Sequence, residues 1–170
     1  MEPVYGQGFF TIGKGVIWYT IVFDYIDEEM YYAGLLERGG GKLREELEML
    51  RANMQRLMDE ERVIVNGAET RAEVVGAWVE VRGDPRRPSI VFQSRIPYLA
   101  RMGRNVYENY YEDTVADYPY TVYWSAMDCV EIEGVESSGT VEHGRRVTVI
   151  RVRQGEEITG YESVVFNITC

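Results

Sequence analysis

Paired carboxylates are the first residues in this chain equipped for chemistry. Glu131 and Glu133 stand two apart in an apolar-flanked run, which on a strand sets their carboxyls about 6–7 Å apart on one face. Glycoside hydrolysis works with two carboxyls about 5–9.5 Å apart. Glu108 and Glu112 become neighbours only if their segment is helical, since residues four apart share a helix face. Acids at these spacings equally suit a solvated face. Asp113 and Asp117 could contribute to a calcium site, but no twelve-residue Asp-rich loop with a central glycine and closing Glu surrounds them.

Most of these acids belong to the segment Asn105 to Trp124. It holds six tyrosines (Tyr107, Tyr110, Tyr111, Tyr118, Tyr120 and Tyr123), ends on Trp124, and has four acids (Glu108, Glu112, Asp113 and Asp117) but no base. A tyrosine ring buries apolar area while its hydroxyl still bonds water or a partner. The rings therefore suit stacking on a sugar or nucleobase, burial between subunits, or plain packing. A strand from Pro119 puts Tyr120, Val122 and Trp124 on one face and Thr121, Tyr123 and Ser125 on the other.

Other chemistries find weaker support. The one histidine is His143, in what reads as a hairpin turn, and Cys129 is its only thiol partner short of the final residue. No Gly-x-Ser-x-Gly turn occurs. A zinc site would need Cys129, His143, Cys170 and a carboxylate at irregular spacing. Gly6-Gln7-Gly8 lacks the third glycine of a dinucleotide fingerprint, and Gly41-Lys42 lacks the Ser or Thr of a P-loop. Gly39 to Gly41 before a helix could still offer N–H groups to an anion. No metal or cofactor is expected. Asn167-Ile168-Thr169 matches a glycosylation sequon, which means little without a secretion signal. A Cys129–Cys170 disulfide becomes plausible if the source is a hyperthermophile; otherwise free thiols are expected.

The net charge of −10 argues against nucleic-acid binding, which depends on neutralising phosphates. Charge is also segregated. From Arg82 to Arg104 there are six arginines (among them Arg86, Arg87, Arg101 and Arg104) and one acid; from Tyr107 to Glu142 there are nine acids and no Lys or Arg. Such blocks pair within one molecule or dock one subunit on another. Only Lys14 and Lys42 among 18 basic residues are lysines. That bias fits a thermophilic source, and genomic base composition explains it as well. The start, Met1-Glu2-Pro3, has no basic signal-peptide region, and no apolar run approaches the roughly 20 residues that span a bilayer. A cytoplasmic protein with no membrane association is expected.

The elements that must position these residues are mostly strands. Gly6 to Gly15 reads as turns leading into a strand. Val16 to Tyr25 is a strand former throughout, and its near-continuous apolarity predicts a central strand covered on both faces. Asp27 to Leu36 reads as a short helix. Lys42 to Glu61 is the clearest helix, with Leu43, Leu47, Leu50, Met54 and Leu57 at helical period. Asn66-Gly67 signals a tight hairpin. Further strands are expected over 72–82, 89–96, 118–127 and 130–135, with a last hairpin, 147–153 with 162–169, across Gln154 to Gly160. The fold expected is mainly β (α+β): a single antiparallel β-sandwich or barrel-like domain spanning 1–170, with a helical insertion at about 27–61 packed on a sheet face.

The leading functional expectation is a non-enzymatic binding or assembly protein. It would self-associate as a homo-oligomer, or meet a protein partner, through the tyrosine-rich acidic surface, the Arg-rich segment and the Met-bearing helix. The alternative is a binder of small, carbohydrate-like ligands, or a hydrolase, with Tyr110, Tyr111 and Trp124 lining a cleft and Glu108, Glu112, Asp113 or Asp117 supplying charge.

Overall fold

The computed structural model describes all 170 residues, Met1–Cys170. In chain order the elements are β1 (Glu2–Gly13), β2 (Val16–Ile26), α1 (Tyr31–Arg38), α2 (Gly40–Asp59), β3 (Arg62–Val65), β4 (Ala68–Thr70), β5 (Glu73–Val81), β6 (Pro88–Pro97), β7 (Gly103–Tyr110), β8 (Thr114–Val115), β9 (Tyr120–Ala126), β10 (Val130–Glu136), β11 (Thr140–Glu142), β12 (Val147–Val152), β13 (Glu157–Ile158) and β14 (Tyr161–Ile168). The mainly β, α+β class read from the sequence is the class observed, with both helices inserted between β2 and β3.

A seven-stranded sheet runs β11-β12-β9-β1-β2-β6-β5, and a five-stranded sheet runs β10-β14-β7-β3-β4. A short ribbon pairs β13 with β8. One cluster of buried apolar residues draws on both sheets and both helices, from Ile12 and Ile17 to Phe166 and Ile168, so the two sheets share a core. Only β1 and β9 pair in parallel; the other pairings are antiparallel.

The opening glycine segment is strand, where turns were expected. Gly6 and Gly8 are there for room: a Cβ at Gly6 would stand 3.2 Å from Tyr120 Cβ, and one at Gly8 3.3 Å from the Phe10 ring. Close approach of aromatic side chains favours glycine despite its entropic cost in a strand. Asn66 and Gly67 both adopt positive φ, 54° and 79°, which closes the β3–β4 hairpin as the dipeptide predicts.

Two further expectations are corrected. β12 and β14 do not form a hairpin: β12 pairs with β9 and β11, while β14 pairs with β10 and β7 in the other sheet. The segment between them crosses from sheet to sheet, so strand propensity alone misleads there. β2 is central but covered on one face only. Ile17 and Tyr19 point inward, whereas Trp18 on the outer face is exposed.

α2 lies along β5, with Leu43, Leu47, Leu50 and Met54 half-buried against the core. Its anchor is polar. The Gln55 amide accepts from the Val74 N–H (2.8 Å) and donates to the Ala72 carbonyl (2.9 Å), occupying backbone groups at the start of β5.

Candidate functional site

Strand alternation places two acids on an apolar face. Along β14, Glu162 shares the inward side with Val164, Phe166 and Ile168, of which none is more than 1% exposed. Glu162 sits opposite Asn109 of β7, and Asn109 opposite Val63 of β3. Glu61, two residues before Val63, and Tyr111, two after Asn109, extend the same face by one step. The apolar interior of the five-stranded sheet therefore ends in Glu162, Asn109, Glu61 and Tyr111.

These residues line a cleft of about 330 Å³. Phe10, Ile21, Phe23 and Val122 of the seven-stranded sheet form the facing wall, and Met54, Leu57 and Met58 bring α2 in as a third. Tyr19 and Tyr107 lie deeper, and Tyr19 donates its hydroxyl to Met58 Sδ at 2.9 Å. Beneath them Trp124, fully buried, stacks on Phe10 with ring centroids 4.3 Å apart and meets Tyr107 at 5.1 Å. No Arg, Lys or His lines the cleft.

The hydrogen bonding at its polar end is incomplete. Asn109 Nδ2 donates to Glu61 Oε2 (2.7 Å) and Ser137 Oγ donates to Glu162 Oε2 (2.9 Å). Asn109 Oδ1 and Trp124 Nε1, both out of contact with solvent, have no partner. Buried polar groups are nearly always paired, so each orphan calls for an explanation. Burial pushes the Glu162 carboxyl up to about 7; the Ser137 hydroxyl opposes the shift, the nearby Glu61 charge adds to it, and the Trp124 indole on that side lowers it. Burial also raises Glu61, against the Asn109 hydrogen bond. Water reaches Glu61 at the cleft mouth, so its shift is the weaker constraint. The phenols of Tyr19, Tyr107 and Tyr111 are raised as well, chiefly by burial.

The tyrosine-rich segment splits among several places. Tyr107 and Tyr111 line the cleft, with Trp124 below them. Tyr120, Val122 and Trp124 share the inner face of β9, as alternation predicts. Tyr110 and Glu108 take the outer face of β7, where Glu108 Oε1 accepts from Tyr110 (3.3 Å) and Tyr161 (2.9 Å). Glu112 and Asp117 are exposed, and Asp113 Oδ1 accepts from the Gly160 N–H at 2.6 Å. Glu108 and Glu112 have no helix to share, because β7 ends at Tyr110. Glu131 turns away from the buried Val130 and Ile132, and Glu133 is exposed. None of these acids lines the cleft with Glu61 and Glu162.

The arginine block finds partners outside the acidic block. Arg82 pairs with Asp24, Arg86 with Asp84 and Arg95 with Glu73, all on the surface. Arg101 donates to the Asn66 carbonyl (3.2 Å), while Arg87 and Arg104 are exposed. In the acidic block Asp128 and Glu142 pair with Arg146 and Arg151. The two blocks thus form no ion pair with each other within the molecule. Cys129 is joined to Cys170, so no Cys129 thiol stands beside His143. The histidine instead lies 3.4 Å from the Thr148 hydroxyl.

In the sequence Glu61 reads as the end of a helix and Glu162 as the start of a strand. Their signal was parity: Glu61-x-Val63-x-Val65 and Glu162-x-Val164-x-Phe166 each put an acid on an apolar stripe. No protein-family model and no curated protein matches this chain.

Proposed function

We propose that this chain binds a small, largely apolar molecule in the cleft between its sheets, with the ligand's polar end against Glu61 and Glu162. The observation that carries this reading is the unpartnered Asn109 Oδ1, out of contact with solvent, beside Glu61 and Glu162 at the polar end of an otherwise apolar cleft. A volume of about 330 Å³ falls at the small end of ligand sites. Apart from tyrosine hydroxyls, only Glu61, Asn109 and Glu162 offer polar atoms, too few for a sugar and enough to orient a single polar group. Nile red, a neutral dye that brightens in apolar surroundings, tests the reading. Its fluorescence rises with the folded protein, and Ile21→Trp, which fills the cleft, weakens binding about tenfold or more. Tyr110→Ala, on the outer face, leaves it unchanged. Equal binding by wild type and Ile21→Trp would end the proposal.

Self-association is the second reading, and the outer face of the seven-stranded sheet favours it. Val149 and Phe9 both lie beside Tyr123, with Trp18 diagonal to Phe9 across Thr20. Phe9 and Trp18 are exposed, and the Phe9 and Tyr123 rings stack 5.1 Å apart. Contiguous exposed apolar surface of this kind marks contact sites, and its occupant here is a second copy of the chain. Light scattering after size exclusion is expected to give a dimer mass that persists in about 1 M salt, where charge attraction is screened to a few Å. Phe9→Lys with Tyr123→Lys reduces it to the monomer. A wild-type monomer throughout overturns this reading; a dimer dissolved by salt moves the contact to the Arg-rich and acidic blocks.

A further inference from the structure

We infer that the ligand of this cleft is an organic cation: a protonated primary amine carried on an apolar body, its ammonium seated among Glu61, Asn109 and Glu162. The inference rests on the cleft being a binding site, and it names the chemistry that site selects.

The polar end of the cleft is a set of acceptors. Glu61 and Glu162 each bring a carboxyl. Asn109 commits its amide N–H to Glu61, which leaves Oδ1 as the free atom, and that atom only accepts. An ammonium has three N–H donors and no acceptor. Glu61, Glu162 and Asn109 Oδ1 are three acceptors on neighbouring positions of one sheet face, so donors and acceptors match in number. An alcohol brings one donor and leaves two acceptors unmatched. A carboxylate or phosphate would meet two acids with no Arg, Lys or His in the lining to offset them.

Two features reinforce the match. Glu162, half-buried at the end of an apolar face, has no basic counter-charge in the lining, and a bound cation offsets its charge together with that of Glu61 at the mouth. The rings of Phe10, Tyr107 and Tyr111 border the same space, and aromatic faces attract an ammonium that has shed part of its water. The buried Trp124 indole N–H, below the cleft, belongs to the same logic. It is a donor on the Glu162 side, so it favours the carboxylate form of Glu162, the form a cation requires.

The pH dependence follows from the groups that face the ammonium. From β14 this is Glu162, and from the turn before β3, Glu61; from β7 and just past its end, Tyr107 and Tyr111; from β2 and β9, Tyr19 and Tyr120. The phenols stay neutral well beyond pH 8, since burial raises each of them. The Glu162 carboxyl, raised to about 7 by burial, gains its charge between pH 5 and 8, and burial shifts Glu61 in the same direction. Amine binding therefore strengthens over that interval, while an alkylammonium keeps its own proton throughout.

The test compares n-octylamine, 1-octanol and octanoate as competitors of Nile red at pH 8, below their aggregation limits. Octylamine is expected to displace the dye at about tenfold lower concentration than octanol or less, and octanoate to fail. At pH 5 the advantage of octylamine over octanol shrinks about tenfold. Glu162→Gln removes most of it at either pH, and Glu61→Gln reduces it. Equal potency of octanol and octylamine on wild type, or a preference for octylamine that survives both Gln variants, overturns the cation assignment while the cleft remains a binding site. Nile red binding that Ile21→Trp leaves intact instead removes the cleft reading, and the cation with it.

Discussion

Glu162→Gln is expected to raise the melting temperature by roughly 5–10 °C at pH 8 and to leave it nearly unchanged at pH 4.5. The Glu162 carboxyl is raised from 4.5 to about 7, mainly by burial. Between those values the folded protein keeps a proton that the unfolded chain has lost. Stability then falls as pH rises, beginning near the unfolded value of 4.5 and levelling off just above 7. A shift of that size corresponds to a loss of up to about 3 kcal/mol across the window. Glutamine keeps the shape and the Ser137 contact without the charge, so its profile lacks this slope. The Glu61 charge adds to the Glu162 shift, so the observed midpoint reports the two acids together. Thermal melts of both proteins from pH 4 to 8.5 provide the check. Parallel curves would mean that Glu162 titrates as an ordinary surface acid and that the cleft floor is wet.

The second large effect is expected from the Cys129–Cys170 link, whose Cα atoms lie 5.3 Å apart across 41 residues of chain. Closing a loop of this length removes unfolded-state entropy equivalent to roughly 3–4 kcal/mol. Reduction, or Cys129→Ser, should lower the melting temperature by roughly 8–14 °C. Native geometry should survive. β10 and β14 remain in register from Val130 opposite Ile168, and the Thr169 N–H still donates to the Cys129 carbonyl at 2.8 Å. Dye binding in the cleft is therefore expected to persist in the reduced protein at 25 °C. An unchanged melting temperature, with free thiols confirmed by mass, would show that the link contributes nothing. The link also bears on the expectation of a cytoplasmic protein. Structural disulfides persist in oxidising compartments, or within hyperthermophile cells.

Much of the fold was legible because it depends on local pattern. The strand-forming run from Val16, the leucine spacing of α2, the Asn66-Gly67 turn and the two faces of β9 all follow from short-range periodicity. What failed depended on distant partners. Gly6 and Gly8 look like turn residues until the Tyr120 and Phe10 side chains are set against them. β12 and β14 look like a hairpin because each is a good strand, and nothing local says that they enter different sheets. The cleft was hidden for the same reason. Tyr107, Tyr111 and Trp124 stood out by type and do reach it or its floor. Glu61 and Glu162 lie 101 residues apart in number and meet only because Asn109 registers beside both strands. The acids nearest the tyrosines in sequence, Glu108 and Glu112, were drawn to the outer surface by strand parity and the end of β7.

The parallel seam between β1 and β9 has a consequence for how the chain comes to be folded. β1 and β2 are complete within the first 26 residues and can close at once as a hairpin. The other edge of β1, from Gly6 to Ile12, waits for Tyr120 to Ala126. At a synthesis rate of about 5–20 residues per second, that edge stays open for roughly 6–23 s. An unpaired edge bearing Phe9 and Phe10 is a template for mispairing with other nascent chains. Contacts this distant in sequence also slow folding, because loop closure must precede them. Refolding should thus be fastest in its first hairpin and slowest at the one seam that joins the two halves of the large sheet.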